Sequence, residues 1–405
     1  MNSTQKTLVT LLSAAIRGKD IDKLDIHDIN WREVYEEAKA HEVYALIYPL
    51  FKKMSKTCNI DSILLTEWSK DTIINSIVQT QHINQMKNVF KAFEEDGVPV
   101  IALKGLILRD LYPRPEFRTM SDADILVKEE FVEAAETVLL QLGYKKDSSI
   151  AYECCFIHEN NLSIDLHWSL SNHEHLRNVA PFEDTVWNNL RELDFHGVKV
   201  QALSLEYELM HLFIHIASHM IKSGFGVRQL CDIVVFIESE RTAIDWDLLF
   251  DLSESCRLNK LISVILTLCD TLLDLNVPAT YKTNYFDSAE YIKILTNEVF
   301  ESGVYGKRDE TRVTSTRILS HSLQSNDDFN KFKLIFRYVF PSSDKLDKRY
   351  SYASKYTFLI VFAWLHRIFY ELFLNTFKRL KELFKLSSTA SLVKDRFDLI
   401  DWLQL

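Results

Sequence analysis

Two aspartates one residue apart, Asp122 and Asp124, stand in "MSDADILV", a segment that otherwise reads as a strand. On an extended strand, side chains at i and i+2 share a face, ~6.6 Å apart along the chain. Both carboxylates therefore point the same way. A third, Asp165, lies in "LSIDLHW", which reads as the return strand of a hairpin turning at Glu159-Asn160-Asn161. If the two strands run side by side, three carboxylates converge. Like charges that close raise one another's pKa unless a cation neutralises them. Mg²⁺ suits such a site, because it is a hard ion that takes oxygen ligands from carboxylates and substrate phosphates together, with Mn²⁺ as a substitute. Two such ions ~3.5–4 Å apart would clamp the attacking and leaving oxygens of a phosphoryl displacement.

The residues upstream supply the other half of that chemistry. Lys104-Gly105 follows the apolar run "VPVIAL" and opens "KGLILRDLY", which reads as a helix. A glycine there lets a phosphate approach the backbone, and a helix N-terminus favours anions. Lys104 adds a point charge for a triphosphate. Arg118 and Ser121, just before the aspartates, are suited to hold phosphate oxygens. His167 shares the face of Asp165 and is a candidate for substrate contact. His211, His215 and His219 recur every four residues on one drifting helical face. Two histidines so spaced can chelate a transition metal, but no Cys or carboxylate stands at a spacing that would complete zinc. Packing accounts for this stripe more simply, with His215 and His219 kept as pocket candidates. Arg228 and Asp232 are four residues apart and either pair with each other or face the pocket.

These residues need elements to position them. The first 95 residues read as helices, with one over Ile63 to Phe93. Asp96-Gly97 is a turn, and Val98 to Leu103 a short strand with Pro99 at its start. "PRPEFRTMS" is a loop broken by Pro113 and Pro115, "DADILV" a strand, and "EEFVEAAETVLLQLGY" a helix closed by Gly143. From about Leu203 the chain turns helical again, through "EYELMHLFIHIASHMIKSG" and "VRQLCDIVVFIES" to about Leu275, and 276–350 is polar and weakly patterned. The expected fold class is α+β: a small mixed sheet (96–202) between an N-terminal helical region (1–95), a helical domain (203–300) and a C-terminal helical region (301–405). The last carries an aromatic segment, 356–386, with a basic end at Lys378, Arg379, Lys381 and Lys385. Its apolar run stops at His366-Arg367, short of the ~20 residues that span a bilayer. It suits packing on its own domain or on a partner protein, or a peripheral membrane contact.

Bulk composition narrows the partners. A net charge of −10 offers no basic field to a long nucleic acid. Six scattered cysteines, without CxxC, fit a reducing, cytoplasmic compartment. Nine glycines and seven prolines in 405 residues favour long helices.

The order strand, Gly-bearing turn, helix, Asp-x-Asp strand and later single-Asp strand resembles the polymerase-beta-like nucleotidyltransferase superfold. "ALKGLILRDLYPRPEFRTMSDADILV", with "IDLHWSL" and "HLFIHIASHMIKSGFGVRQLCDI", resembles more narrowly a bacterial family of uncharacterised nucleotidyltransferases. The resemblance implies that Asp122 and Asp124 are metal ligands and that Asp165 is the third carboxylate of the metal site, which also activates the attacking hydroxyl. It puts Lys104 and Gly105 at the phosphate turn, with Arg118 and Ser121 in the same motif. Lys-Gly departs from the Gly-Gly or Gly-Ser of the wider superfold and shifts phosphate contact onto an ammonium. The activity so implied is transfer of a nucleoside monophosphate from an NTP to a hydroxyl or phosphate of a small molecule, sugar or peptide, with release of pyrophosphate. Kinase-like phosphoryl transfer, a non-catalytic nucleotide-binding scaffold, and the tRNA labelling known in the wider superfold remain as rivals.

Overall fold

The computed structural model describes residues 1–21, 29–56, 60–160, 162–170, 176, 178–222, 224–278, 281, 288–304, 340, 350, 352–353, 359–366 and 396–405. Most of the segment 356–386, its basic end included, lies outside the described residues, as do Asn161 and most of 301–405. No helix among the described residues is long and apolar enough to cross a membrane.

Four helices lead in: α1 (Ser3–Ala15), α2 (Trp31–Ala40), α3 (Tyr44–Met54) and the 34-residue α4 (Ser62–Glu95). Asp61 caps α4 through the Ile63 N–H. Gly97, at φ 66°, ends it in the left-handed conformation that glycine adopts without cost, and Val98 N–H returns to Phe93 O at 2.8 Å. The sheet then begins with β1 (Val100–Ala102), shorter than the Val98–Leu103 expected because Pro99 brings no N–H to the ladder. After the Lys-Gly turn the helix α5 (Gly105–Leu108) lasts four residues and gives way to 3-10 turns, so the longer helix read from "KGLILRDLY" does not form. β2 (Asp122–Val127) follows, then α6 (Val132–Gln141), β3 (Lys145–Ser149), β4 (Glu153–Ile157), β5 (Ser163–His167), the short α7 (Ala180–Glu183), β6 (Leu190–Phe195) and β7 (Val198–Leu203). The helices α8 (Leu205–Lys222), α9 (Val227–Glu240), α10 (Trp246–Ser255), α11 (Asn259–Leu273) and α12 (Ser288–Ser302) follow, and the described residues 360–366 and 396–403 are helical as well. α12 falls in the stretch that looked unpatterned in the sequence.

The fold is α+β, as expected, with a larger sheet than the sequence suggested. Seven strands run in the order β3-β4-β5-β2-β1-β7-β6. β3, β6 and β7 had not been foreseen. β3 is exposed along its whole length and so lacks the alternation that marks a half-buried strand. The sheet is mixed: β5 runs parallel to β2, and β7 parallel to β1, while the other neighbours are antiparallel.

The period of two divides the strands between two cores. Ala123, Ile125, Val127, Ile164 and Leu166 pack with the second half of α4 and with α6, in an apolar cluster containing Met86, Phe90, Phe93 and Leu139. Ile101 and Leu126, on the opposite face, join the larger core formed by α1–α3 and α8–α11. α4 reaches both cores, with Leu64 and Trp68 in one and Ile83 to Phe93 in the other. Its middle turns carry amides that pin the loop before β2. Gln79 Nε2 donates to Met120 O at 2.9 Å, and Asn75 Nδ2 to Glu116 O at 3.1 Å.

Candidate functional site

β2 and β5 run in parallel register with Asp124 opposite Asp165. The apolar residues that alternate with them are buried in the α4/α6 core, so Asp122, Asp124, Asp165 and His167 all turn to the other face. There they line a cavity of about 240 Å³ closed on its far side by α8. The structure brings together Lys104, Gly105, Arg118, Asp122, Asp124, Asp165, His167, His215, His219, Arg228 and Asp232 around that space. Ser121 is not among its lining residues. Ser121 is exposed, and its carbonyl accepts from Ser163 Oγ at 3.1 Å.

Charge is unevenly distributed over the carboxylates. Asp124 Oδ1 accepts from Lys104 Nζ at 3.0 Å and meets His167 Nε2 at 3.0 Å. Burial pushes the Asp124 carboxyl up, but the Lys104 ammonium and the His167 bond outweigh it and hold the group well below the usual carboxylate range. Asp122 has the opposite fate. Burial, then repulsion from Asp124 and Asp165, pushes it up to about 6. His167 also faces a fourth carboxylate, Glu153 Oε2, at 3.3 Å across the β4–β5 ladder, where the two residues are direct partners.

Negative charge held this close, with one carboxyl pushed toward its neutral form, is chemistry that a divalent cation relieves. Among the described residues, no three His, Cys, Asp or Glu side chains already converge on one ion position. Carboxylates that leave room for water and substrate oxygens are the donors a hard divalent cation takes.

The Lys-Gly turn divides two demands between its residues. Lys104 takes φ 45°, ψ −114°, a backbone conformation strained for any residue but glycine. Gly105 leaves space that the Arg118 and Met120 side chains occupy. A Cβ there would stand 2.6 Å from Arg118 Nη1 and 2.7 Å from Met120 Sδ. Four residues of helix contribute little macrodipole, so anion attraction at this turn rests on the ammonium.

Arg118 is tied down. Its Nε and Nη2 donate to Asp232 at 3.1 and 2.7 Å, and Tyr112 Oη donates to the same carboxylate at 2.8 Å. Burial works against the Arg118 charge, but Asp232 more than offsets it and raises the pKa. The i,i+4 pair expected between Arg228 and Asp232 is not made. The Asp232 carboxylate belongs to Arg118 and Tyr112, and Arg228 Nη1 donates to Glu42 and, at 2.9 Å, to Thr119 O. Buried charges take the partner that tertiary packing brings into bidentate reach over the local one.

α8 forms the opposite wall. His215 and His219 face the cavity with their Nε2 atoms 3.0 Å apart, while His211 lies buried behind it. Burial, then the Lys104 charge, keeps His211 and His215 well below the usual imidazole range and His219 down to about 3, so all three are neutral near pH 7. Lining residues that were not singled out in the sequence include Glu153, Tyr152, Ser169 and Lys222. Lys222 stands seven residues after His215 on one face, a spacing legible once the histidine stripe is taken as cavity-lining. Its Nζ donates to Tyr152 Oη at 3.2 Å. Glu153 is found only by working out the hairpin register.

Comparison with known proteins places this geometry in a family. The model of a family described as uncharacterised nucleotidyltransferase matches residues 27–274, more than half of the chain. No curated protein sequence matches the chain significantly. Among solved structures, the antibiotic-resistance factor ANT(2'')-Ia is similar over 44% of this chain and 92% of its own, at 14% identity and a TM-score of 0.34.

Proposed function

The chain belongs to the uncharacterised nucleotidyltransferase family, and we propose that it moves a nucleoside monophosphate from an NTP to a hydroxyl or phosphate of a small molecule, sugar or peptide, releasing pyrophosphate. The observation that carries this reading is the parallel register of β2 and β5, with Asp124 beside Asp165 and Asp122 on the same face of one cavity.

In this reading, Asp165 accepts the proton of the acceptor hydroxyl. The oxygen attacks the α-phosphorus, the bond from that phosphorus to the oxygen bridging to the β-phosphorus breaks, and pyrophosphate departs with the bonding pair. Asp122 and Asp124 would hold Mg²⁺, or Mn²⁺ in its place, which when bound neutralises charge on the phosphate oxygens. Lys104 balances Asp124 in the free protein and offers its ammonium to the triphosphate. Arg118 acts mainly through place, since its guanidinium is held by Asp232 on the cavity wall. His215, His219 and Lys222 supply hydrogen-bond donors from α8 to whichever part of the substrates lies on that side.

The test is incubation of the protein with each α-labelled NTP, Mg²⁺ and a cell extract, beside Asp122→Ala/Asp124→Ala. Label transfer by the wild type alone, with pyrophosphate as co-product, is the expected result. NDP as co-product points to a kinase instead. Transfer that persists in the double variant removes the carboxylate site. Label on tRNA would identify the acceptor as nucleic acid.

A further inference from the structure

The Lys104 turn holds a conformation that its own sequence disfavours, so something outside the turn must hold it there. A lysine at φ 45°, ψ −114° sits in sparsely populated backbone space, sustained only where the surroundings over-determine it. Two bonds do so. At the side-chain end, the ammonium meets Asp124 Oδ1 at 3.0 Å. At the backbone end, the Lys104 N–H donates to Glu208 Oε1 at 3.1 Å, across 104 residues of sequence.

Glu208 is an unusual residue for its place. It lies in the first turn of α8 with no exposed surface. A carboxylate buried this deeply destabilises the fold unless it serves as an acceptor. A helix start needs no such residue here, because the α8 backbone is already anchored by Glu208 N–H to Ser204 O at 2.8 Å. The one side-chain hydrogen bond that Glu208 makes among the described residues is to the Lys104 amide. Burial pushes its carboxyl up to about 7, against the pull of Arg191 and the Lys104 amide.

We propose that Glu208 is a positioning residue, whose buried carboxylate holds the strained Lys104 peptide and so aims the Lys104 ammonium at Asp124 and the triphosphate path. The clamp explains why the chain has Lys-Gly where a turn of this φ would more cheaply have Gly first. Gly105 is committed to the space beside Arg118 and Met120. Position 104 must deliver a charge, and α8 supplies the acceptor that makes a lysine tolerable there. It also makes the start of α8 part of the nucleotide end of the cavity, although Glu208 lines none of it. The consequence for catalysis rests on the proposed nucleotidyl transfer, but the clamp itself does not.

The test separates the two. Stability is measured by denaturant unfolding for Glu208→Leu in three backgrounds: wild type, Lys104→Met and Lys104→Gly. Methionine keeps the strained φ and loses the charge, whereas glycine removes the strain. Glu208→Leu is expected to lower the folding constant about tenfold less in the first two backgrounds than in Lys104→Gly, because a strained turn released from its acceptor relaxes and recovers part of the lost bond, a coupling typical of residues in contact. Equal losses in all three overturn the clamp. In the transfer assay, KM for the NTP rises about tenfold in Glu208→Leu and recovers in Glu208→Gln, whose amide oxygen still accepts the N–H. A KM unchanged in Glu208→Leu overturns the aiming role. If the wild type transfers no label, the proposed function fails while the stability cycle still reports on the clamp. Should Glu208→Leu not fold, deuterium exchange at the Lys104 amide decides: slow exchange in the native protein supports the clamp, and fast exchange overturns it.

Discussion

The two faces of the sheet, built from the same strands, follow opposite rules. Toward α4 and α6, Ala123, Ile125, Ile164 and Leu166 are fully buried among apolar neighbours. Toward α8, Asp122, Asp124, Asp165 and His167 alternate with those same residues and crowd into a cavity. One face gains stability from dispersion and water exclusion. The other accepts repulsion, a strained lysine and buried carboxylates. The difference teaches that the apolar face anchors the strands rigidly enough for the charged face to be held against its own electrostatics.

Mutations on the two faces should therefore separate activity from stability. The largest effect is expected for Asp122→Ala/Asp124→Ala, with a loss of label transfer of ~10³-fold or more, worth about 4 kcal/mol in the transition state. Thermal unfolding should show a smaller loss than on the apolar face: the change takes from Lys104 and His167 the Asp124 carboxylate they share, but relieves the burial and the repulsion that push Asp122 up. A drop as large as that of Ile164→Ala would break the comparison. Ile164→Ala, on the apolar face, should do the reverse. It should cost about 2–5 kcal/mol in denaturant unfolding while the folded fraction transfers label at the wild-type rate.

Acid sensitivity gives a third contrast. His82, buried on α4, has its pKa pushed down to about 4 by burial. The unfolded chain takes up a proton near pH 6.5 and the folded one does not until near 4. Stability is thus complete above pH 6.5 and lost as pH falls toward 4, by on the order of 1–3 kcal/mol for this residue. His211, His215 and His219 add losses of the same sign. Unfolding measured from pH 7 to 4 should show a shallower decline for His82→Gln than for the wild type. An identical slope would mean that the apolar face plays no part in acid unfolding. The smallest effect belongs to Tyr112→Phe, which removes one bond to Asp232 and leaves Arg118 in place. It should cost about 1 kcal/mol of stability, with KM moved less than threefold, read by unfolding and by the transfer assay.

Local chemistry explains which features were legible. "DADILV" alternates and stops at Lys128, so β2 could be read residue for residue. The α8 and α9 segments carry apolar residues at helical spacing, and Gly97 and Gly143 mark turns. β3 could not be seen, because an exposed edge strand has no apolar face to announce it. The partner of Arg228 could not be seen either, because Glu42 reaches it from the N-terminal helices, 186 residues away.

The sequence by itself determined that Asp122 and Asp124 share one face, that Asp165 lies on a strand, and that helices precede and follow the sheet, since each follows from backbone geometry over a few residues. Only the tertiary structure decided that β5 runs parallel to β2 with Asp165 beside Asp124, that Arg118 is committed to Asp232, and that a carboxylate at position 208 holds the peptide at 104. Those outcomes depend on which surfaces bury one another, and burial is a property of the whole chain that no short stretch of it encodes.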